Sequence, residues 1–314
     1  MTSAIENVSV RKFEAPLGAE VQGVDLDASL SESIKELIRF AWYQHQVLLF
    51  RNQTHLTTQR LVDFSRMFGE LDAAPITVRN KGKPFIPEFP QVTAISNIEE
   101  QGKPIGGLGY GEAEWHTDMS YKDIPPSASI LFSVEIPPTG GDTYFTSMYA
   151  AYDALPPDLR ERLPSLACVH DASRNSAGEL RPGFKDTSDP RETVGAWHPM
   201  VRTHPVTRKL ALFLGRRKGA YIRGLPLDES EALLDFLWAH AARAEFTWAQ
   251  RWKLGDVLIW DNRCTMHRRD SFNPDHRRLL HRTQVAGDKP FLVQEVRASH
   301  PKVVSVGAAV NCLL

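Results

Sequence analysis

The spacing of apolar positions changes along the chain. Near the start, Ile34, Leu37, Ile38, Ala41 and Trp42 recur at i, i+3, i+4, i+7 and i+8, which is one face of a helix. Ser31 stands ahead of them as an N-cap. A second helical stretch, roughly Thr58 to Phe68, runs into Gly69, a residue suited to the turn after a helix. Between the two, Val47–Phe50 is an unbroken apolar run and predicts a buried strand. Val8–Phe13, Ala19–Val24 and Val92–Ser96 predict further strands.

From about residue 114 the pattern turns mainly β. Ser127–Glu135 predicts a strand, and Pro137-Pro138-Thr139-Gly140-Gly141-Asp142 a turn. Thr143–Thr146, Leu166–His170, Met200–Thr203, Leu210–Leu214, Phe246–Gln250, Val257–Trp260 and Leu279–Ala286 follow as strands. Helices are expected near Met148–Leu155 and over Glu229–Arg243. The second has Asp228 as cap and Leu233, Leu234, Leu237 and Trp238 as its stripe. Many short strands separated by turns suggest a sandwich or jelly roll. Ala172–Gly195 is polar, rich in Gly, Pro and charge, and longer than an ordinary connection. It is expected to be a lid or mobile insertion near 172–195 within a single domain spanning 1–314.

Composition narrows the class. The chain has 314 residues, 42% hydrophobic and 24% charged, which is ordinary globular composition. A net charge of -1 gives no general attraction to nucleic acid or an anionic membrane. No apolar run reaches membrane-spanning length, and Met1–Val10 lacks the apolar core of a signal peptide. Cys168, Cys264 and Cys312 are scattered and form no CxxC pair, which fits a reducing, cytoplasmic setting. Whether the chain forms a homo-oligomer is left open.

The candidate chemistry begins at Glu114-Trp115-His116-Thr117-Asp118. On a strand, positions i and i+2 share a face, so His116 and Asp118 would project together. A second histidine would complete a two-His, one-carboxylate set, which leaves positions open on Fe(II). By itself an HxD pair is better explained as a surface or capping pair. His267 follows the apolar run Val257–Trp260 and is the candidate third ligand; a rim position would explain it equally well. Arg278 and Arg282 lie four apart, hence on one face of a strand. If that face points inward, two buried guanidiniums need an anion, and a dicarboxylate would match them. Taken singly, these arginines are better read as solvated charges.

Several segments together resemble the taurine dioxygenase / 2,4-dichlorophenoxyacetate dioxygenase family of Fe(II)/2-oxoglutarate enzymes. They are Pro16-Leu17-Gly18-Ala19-Glu20-Val21, Gly23-Val24-Asp25-Leu26, Phe68-Gly69-Glu70-Leu71, Trp115-His116-Thr117-Asp118, Gly140-Gly141-Asp142-Thr143, Trp260-Asp261-Asn262-Arg263 and His281-Arg282-Thr283. They span nearly the whole chain in order. The resemblance implies a mainly β fold with flanking helices, a cupin-like double-stranded β-helix or jelly roll. It implies Fe(II) held by His116, Asp118 and His267, with 2-oxoglutarate and O2 as cosubstrates. Thr143 and Arg278 would hold the distal carboxylate of 2-oxoglutarate. Arg282 would face the substrate anion or the chelating end of the cosubstrate. The implied reaction is oxidation of a C–H bond, expected to be hydroxylation, with release of succinate and CO2.

The chain departs from the taurine-specific members of that family. Where those place a histidine and a tyrosine after the Gly-Glu-Leu segment, it has Ala74 and Thr77, and where they have an asparagine it has Glu112. A small organic acid is therefore expected as substrate, with Glu112, Met119, Tyr121 and the Leu212–Leu214 strand as candidate pocket walls. Taurine or an alkylsulfonate is the alternative substrate class. Two other classes stay open: a β-barrel metalloenzyme independent of 2-oxoglutarate, and a non-catalytic protein on the same fold.

Overall fold

Alternation of side chains along the central strands decides how the layers stack. The computed structural model describes residues 8–74, 83–110, 113–175 and 178–291. An eight-stranded sheet runs in the order Ser9–Lys12, Ala19–Gln22, Val47–Phe50, Val257–Asp261, Ala128–Glu135, Leu279–Val285, Thr93–Ser96, Gly107–Leu108. A four-stranded sheet runs Thr247–Gln250, Thr143–Ser147, Thr265–Arg269, Ala113–His116.

On the large sheet, Leu48, Phe50, Ile130, Phe132, Val257 and Ile259 pack outward against helical Ile34, Ile38, Trp42, Leu61 and Phe64. Their sequence neighbours Val47, Leu49, Leu131, Leu258 and Trp260 point the other way. There they meet Phe145 and Trp252, so this second core lies between the two sheets. Burial on both faces explains why these strands read as continuous apolar runs. The two sheets form the expected jelly roll.

Ser31 caps the first helix, Glu32–His45, its Oγ accepting from the Ile34 N–H at 3.4 Å. The second helix, Thr58–Arg66, stops short of Phe68. The Phe68 N–H bonds to the Ser65 carbonyl, so the chain tightens before Gly69. The last long helix spans Leu227–Ala241 and starts earlier than Asp228 suggested. Pro226 precedes it, and Asp228 sits in its first turn, where the helix dipole favours a negative charge. The helix Pro157–Arg162 has no buried residue, hence no apolar stripe to betray it.

A third core joins the Leu227–Ala241 helix to Met148–Asp153 and the hairpin Val201–Thr203/Leu210–Leu212. Leu212 and Leu214 belong to this core, and Phe213 stacks on His170. The Leu212–Leu214 stretch is thus buried in the interior. The 172–195 segment leaves the strand Ala167–Asp171 and returns as Gly195–Pro199, with Asp171 opposite Gly195. It closes on itself through an Arg174–Leu180 bridge and an Arg174–Asp186 ion pair.

Burial makes several histidines sensitive to acid. His170 is enclosed, and neither ring nitrogen has a hydrogen-bond partner. Burial, then the neighbouring His198, pushes its pKa well below the usual histidine value. Burial likewise lowers His198 and His281. In the unfolded chain these groups take up protons near pH 6.5, while the folded chain resists. Stability is thus fully present above about pH 6.5 and lost as pH falls below it. Denaturant midpoints measured from pH 7 to pH 5 should decline, and His170→Leu should flatten that decline. An unchanged slope in the variant would show that His170 contributes nothing to it.

Candidate active site

The Thr265–Arg269 strand pairs with Ala113–His116 so that His267 lies directly opposite His116. The two ring centroids are 4.2 Å apart. His116 ends its strand, and Asp118 follows in a turn, not on the strand as the i, i+2 argument assumed. The juxtaposition survives because the turn is clamped. Asn262 Oδ1 accepts from the Asp118 N–H at 2.9 Å, and Asn262 Nδ2 donates to the carbonyls of Asp118 and Pro126, both at 2.9 Å. Thr117 Oγ1 donates to the Leu214 carbonyl at 2.7 Å. His198 Nε2 donates to the Ser120 and Lys122 carbonyls at 2.8 and 2.9 Å.

The Asp118 carboxylate lies 3.7 Å from His116 Nε2 and 3.9 Å from His267 Nε2. His116 Nδ1 is 2.7 Å from the Glu114 carbonyl, which can only accept. Nδ1 therefore carries a proton, and Nε2 is the ring atom that faces Asp118 and His267. Burial, then the adjacent His116, lowers the His267 pKa to about 3, so this ring is neutral at pH 7. Burial alone would raise the pKa of Asp118. The Arg282 charge and the two histidines outweigh it and hold the carboxyl well below the usual range. Two imidazoles and one carboxylate, with ligand atoms within 4.8 Å of one another, form a donor set that fits a divalent iron.

A cavity opens beside this cluster, lined by Ile95, Leu131, Thr143, Trp260, Arg269, Arg278, Leu280 and Arg282 with His116 and His267. At Thr143, Trp252 Nε1 donates to Oγ1 at 2.9 Å, which leaves the hydroxyl proton to be donated elsewhere. Arg278 is 3% exposed, and its backbone is pinned by Ser96 and Asn97. Gly141 makes room for its guanidinium: a Cβ there would stand 3.2 Å from Arg278 Nε. Among the described residues Arg278 has no carboxylate partner, and its one side-chain bond is a long 3.4 Å contact to the Gly141 carbonyl. Burial, then the charge of Arg269, lowers its pKa to about 9. A buried cation with no acid beside it fits an anionic ligand in the cavity.

Arg282 Nη1 lies 3.4 Å from both carboxylate oxygens of Asp118. Arg277 points outward to Glu135. Met119 is buried with a left-handed φ of 48°, and Tyr121 lies under Arg181; neither lines this cavity. Ala74 is held through its backbone to Pro90. Thr77 and Glu112 lie outside the described residues.

Three contributors escaped the sequence reading. Arg269 lies two residues past His267 and lines the same cavity, and Gln284 lies two past Arg282 and, like it, reaches Asp118, its Nε2 donating to Oδ2 at 3.3 Å. Ser129 donates to Asp118 Oδ2 at 2.8 Å. Alternation would have found the first two once the strands were placed.

A second cluster, His204, Asp261 and Cys264, also brings ligand-type atoms within 4.8 Å. His204 Nδ1 accepts from the Val206 and Thr207 N–H groups, so Nε2 carries the proton, which it gives to Asp261 at 2.9 Å. Arg263 occupies both Asp261 oxygens at 2.8 Å. No lone pair of His204 is left for a metal, and the cluster is a closed ion-pair network.

A family model described as taurine catabolism dioxygenase TauD, TfdA family, matches residues 9–284. The alpha-ketoglutarate-dependent sulfate ester dioxygenase of Pseudomonas putida is 34% identical over 293 residues, covering 90% of this chain and 91% of that protein. The alpha-ketoglutarate-dependent 2,4-dichlorophenoxyacetate dioxygenase of Cupriavidus pinatubonensis is 35% identical over 282 residues, covering 86% of this chain and 94% of its own. A solved structure of AAD-2 in complex with Mn(II) and N-oxalylglycine superposes with a TM-score of 0.72 at 30% identity, covering 90% of this chain and 98% of that one. The chain belongs to the TauD/TfdA family of dioxygenases.

Proposed function

We propose that this 2-oxoglutarate-dependent dioxygenase hydroxylates a C–H bond of a small anionic organic molecule, a carboxylic acid or a sulfate ester. The observation that carries the reading is the two-ended cavity. One end gathers His116, Asp118 and His267; the other holds the buried, acid-free Arg278 beside the Thr143 hydroxyl. A metalloenzyme independent of 2-oxoglutarate would need the first end and not the second.

Iron(II) with 2-oxoglutarate and O2 supplies the oxidising chemistry, releasing succinate and CO2. The residues of the chain supply position. His116, Asp118 and His267 would hold the metal. Arg278 and Thr143 would grip the distal carboxylate, with Arg269 adding positive charge beside them. Arg282 helps keep Asp118 ionised and lines the cavity at its metal end. Ile95, Leu131, Trp260 and Leu280 exclude water from the cavity walls. Among the described residues no helix is long and apolar enough to cross a membrane, and the substrate is a small molecule. Anaerobic addition of Fe(II) and 2-oxoglutarate should produce a weak visible charge-transfer band; absence of that band would defeat the reading.

His116→Ala, Asp118→Ala and His267→Ala should each abolish turnover and weaken iron binding while the circular dichroism stays native. Full activity in any one variant removes that residue from the ligand set.

Arg278→Ala removes the charged partner of a buried carboxylate, a loss of about 2–5 kcal/mol, or roughly 30-fold and upward in 2-oxoglutarate affinity. Thr143→Val deletes one neutral hydrogen bond, about 0.5–1.5 kcal/mol, and should cost less. Arg282→Ala should preserve the anaerobic 2-oxoglutarate complex better than Arg278→Ala and impair turnover. The opposite order in anaerobic titrations would exchange the roles of the two arginines.

Ala74, Thr77 and Glu112 lack the sulfonate partners of taurine-specific relatives, so an organic acid with a larger apolar body should outperform taurine in succinate release. Taurine emerging with the highest catalytic efficiency across a panel of sulfonates, sulfate esters and aryloxyacids would reverse the substrate assignment.

A further inference from the structure

The cavity cations already described are committed. Arg282 faces Asp118, while Arg278 and Arg269 lie around Thr143 and Phe272 at the far end. An anionic substrate bound together with 2-oxoglutarate needs a positive group of its own. Two further arginines border the turn that carries Asp118. Leu214 and Gly215 are sewn to that turn: the Leu214 carbonyl accepts from Thr117 Oγ1, and a Cβ on Gly215 would stand 3.0 Å from Ser120 Oγ. Arg216 therefore leaves the backbone beside Thr117–Ser120. Its Nε is buried without a partner, and Nη1 donates to the Arg174 carbonyl at 3.1 Å. Arg181 comes from the 172–195 segment and lies over the Tyr121 ring at 4.0 Å. Neither guanidinium pairs with a carboxylate among the described residues.

We propose that Arg216 and Arg181 form the subsite that receives the anionic group of the primary substrate, a carboxylate or a sulfate-ester oxyanion. The proposal rests on the anionic-substrate reading above and adds where the charge is held. Burial, then the charge of Arg181, works against the charge on Arg216, while Asp118 favours it. An oxyanion between them relieves that repulsion and satisfies the orphaned Nε, as planar forks do with carboxylate or sulfate oxygens. Tyr121 provides the flat surface on which Arg181 is oriented. The substrate body then extends toward the metal end.

The test uses protein loaded anaerobically with Fe(II) and 2-oxoglutarate, titrated calorimetrically with hexyl sulfate and with 2,4-dichlorophenoxyacetate. Hexanol and 2,4-dichlorophenoxyacetamide serve as uncharged counterparts. Arg216→Gln and Arg181→Gln should each weaken the bound anion by about ten- to a hundred-fold and change the uncharged counterpart by less than about threefold. Arg216→Lys should recover part of the loss, which a purely structural tie to Arg174 would not require. The two anions separate the sources: the one that binds more tightly to wild type and loses more in the variants is the class recognised. Anion affinity retained in both Gln variants overturns the subsite and leaves the anionic-substrate reading standing. Equal losses for charged and uncharged ligands, or for 2-oxoglutarate itself, also overturn it. Wild-type protein that binds the uncharged compounds and neither anion overturns both.

Discussion

One buried carboxylate sets the terms for the rest of the molecule. Asp118 must remain ionised while enclosed, and an enclosed charge is stable only when neighbours compensate it. The compensation comes from three strands of the large sheet and its facing layer. Ser129 reaches it from Ala128–Glu135, Arg282 and Gln284 from Leu279–Val285, and His267 from the opposite sheet. A one-residue slip in either large-sheet strand would turn these groups away from the cavity. The packing of Leu131 and Leu280 inward, and of Ile130 and Phe132 outward, guards against that slip. Register, core and metal end are thus one constraint seen at three scales.

Having met the needs of Asp118, the fold leaves Arg278, Arg216 and Arg181 without acids among the described residues. Arg278 is the clearest case: deeply buried, pinned through its own backbone, and aimed into a cavity with a free hydroxyl proton beside it. Such a site is incomplete until an anion enters, so ligand binding supplies an interaction that folding left unmade. The His204–Asp261–Arg263 network is the contrasting case. Its charges close on one another, and it braces the segment that carries Asn262, the residue that clamps the Asp118 turn.

The apolar runs Val47–Phe50 and Val257–Trp260 were legible as buried strands because both of their faces are covered. Thr265–Arg269 was not, because Met266 is its one large apolar member and its other positions are polar or charged. His116, Asp118 and His267 were legible as residue types, and the reason offered for their convergence was partly mistaken. Asp118 lies beyond the strand end, and its placement depends on Asn262 and on the left-handed φ at Met119. Both are long-range or turn features that alternation does not encode. Arg216 was invisible for a similar reason: it adjoins the site through Leu214 and Gly215, which are nearly a hundred positions from Thr117.

The choice of arginine over lysine at the far end follows from the same electrostatics. Burial and Arg269 bring the pKa of Arg278 down to about 9, and burial brings that of Arg269 down to about 10. Both stay charged near neutral pH. A lysine begins lower, at about 10.4, and the same burial would push it toward the neutral amine. A neutral amine would still fit the cavity but would not attract a dicarboxylate. Guanidinium keeps its charge through the dehydration that the jelly-roll interior imposes, so the cavity meets the cosubstrate with its positive charge in place.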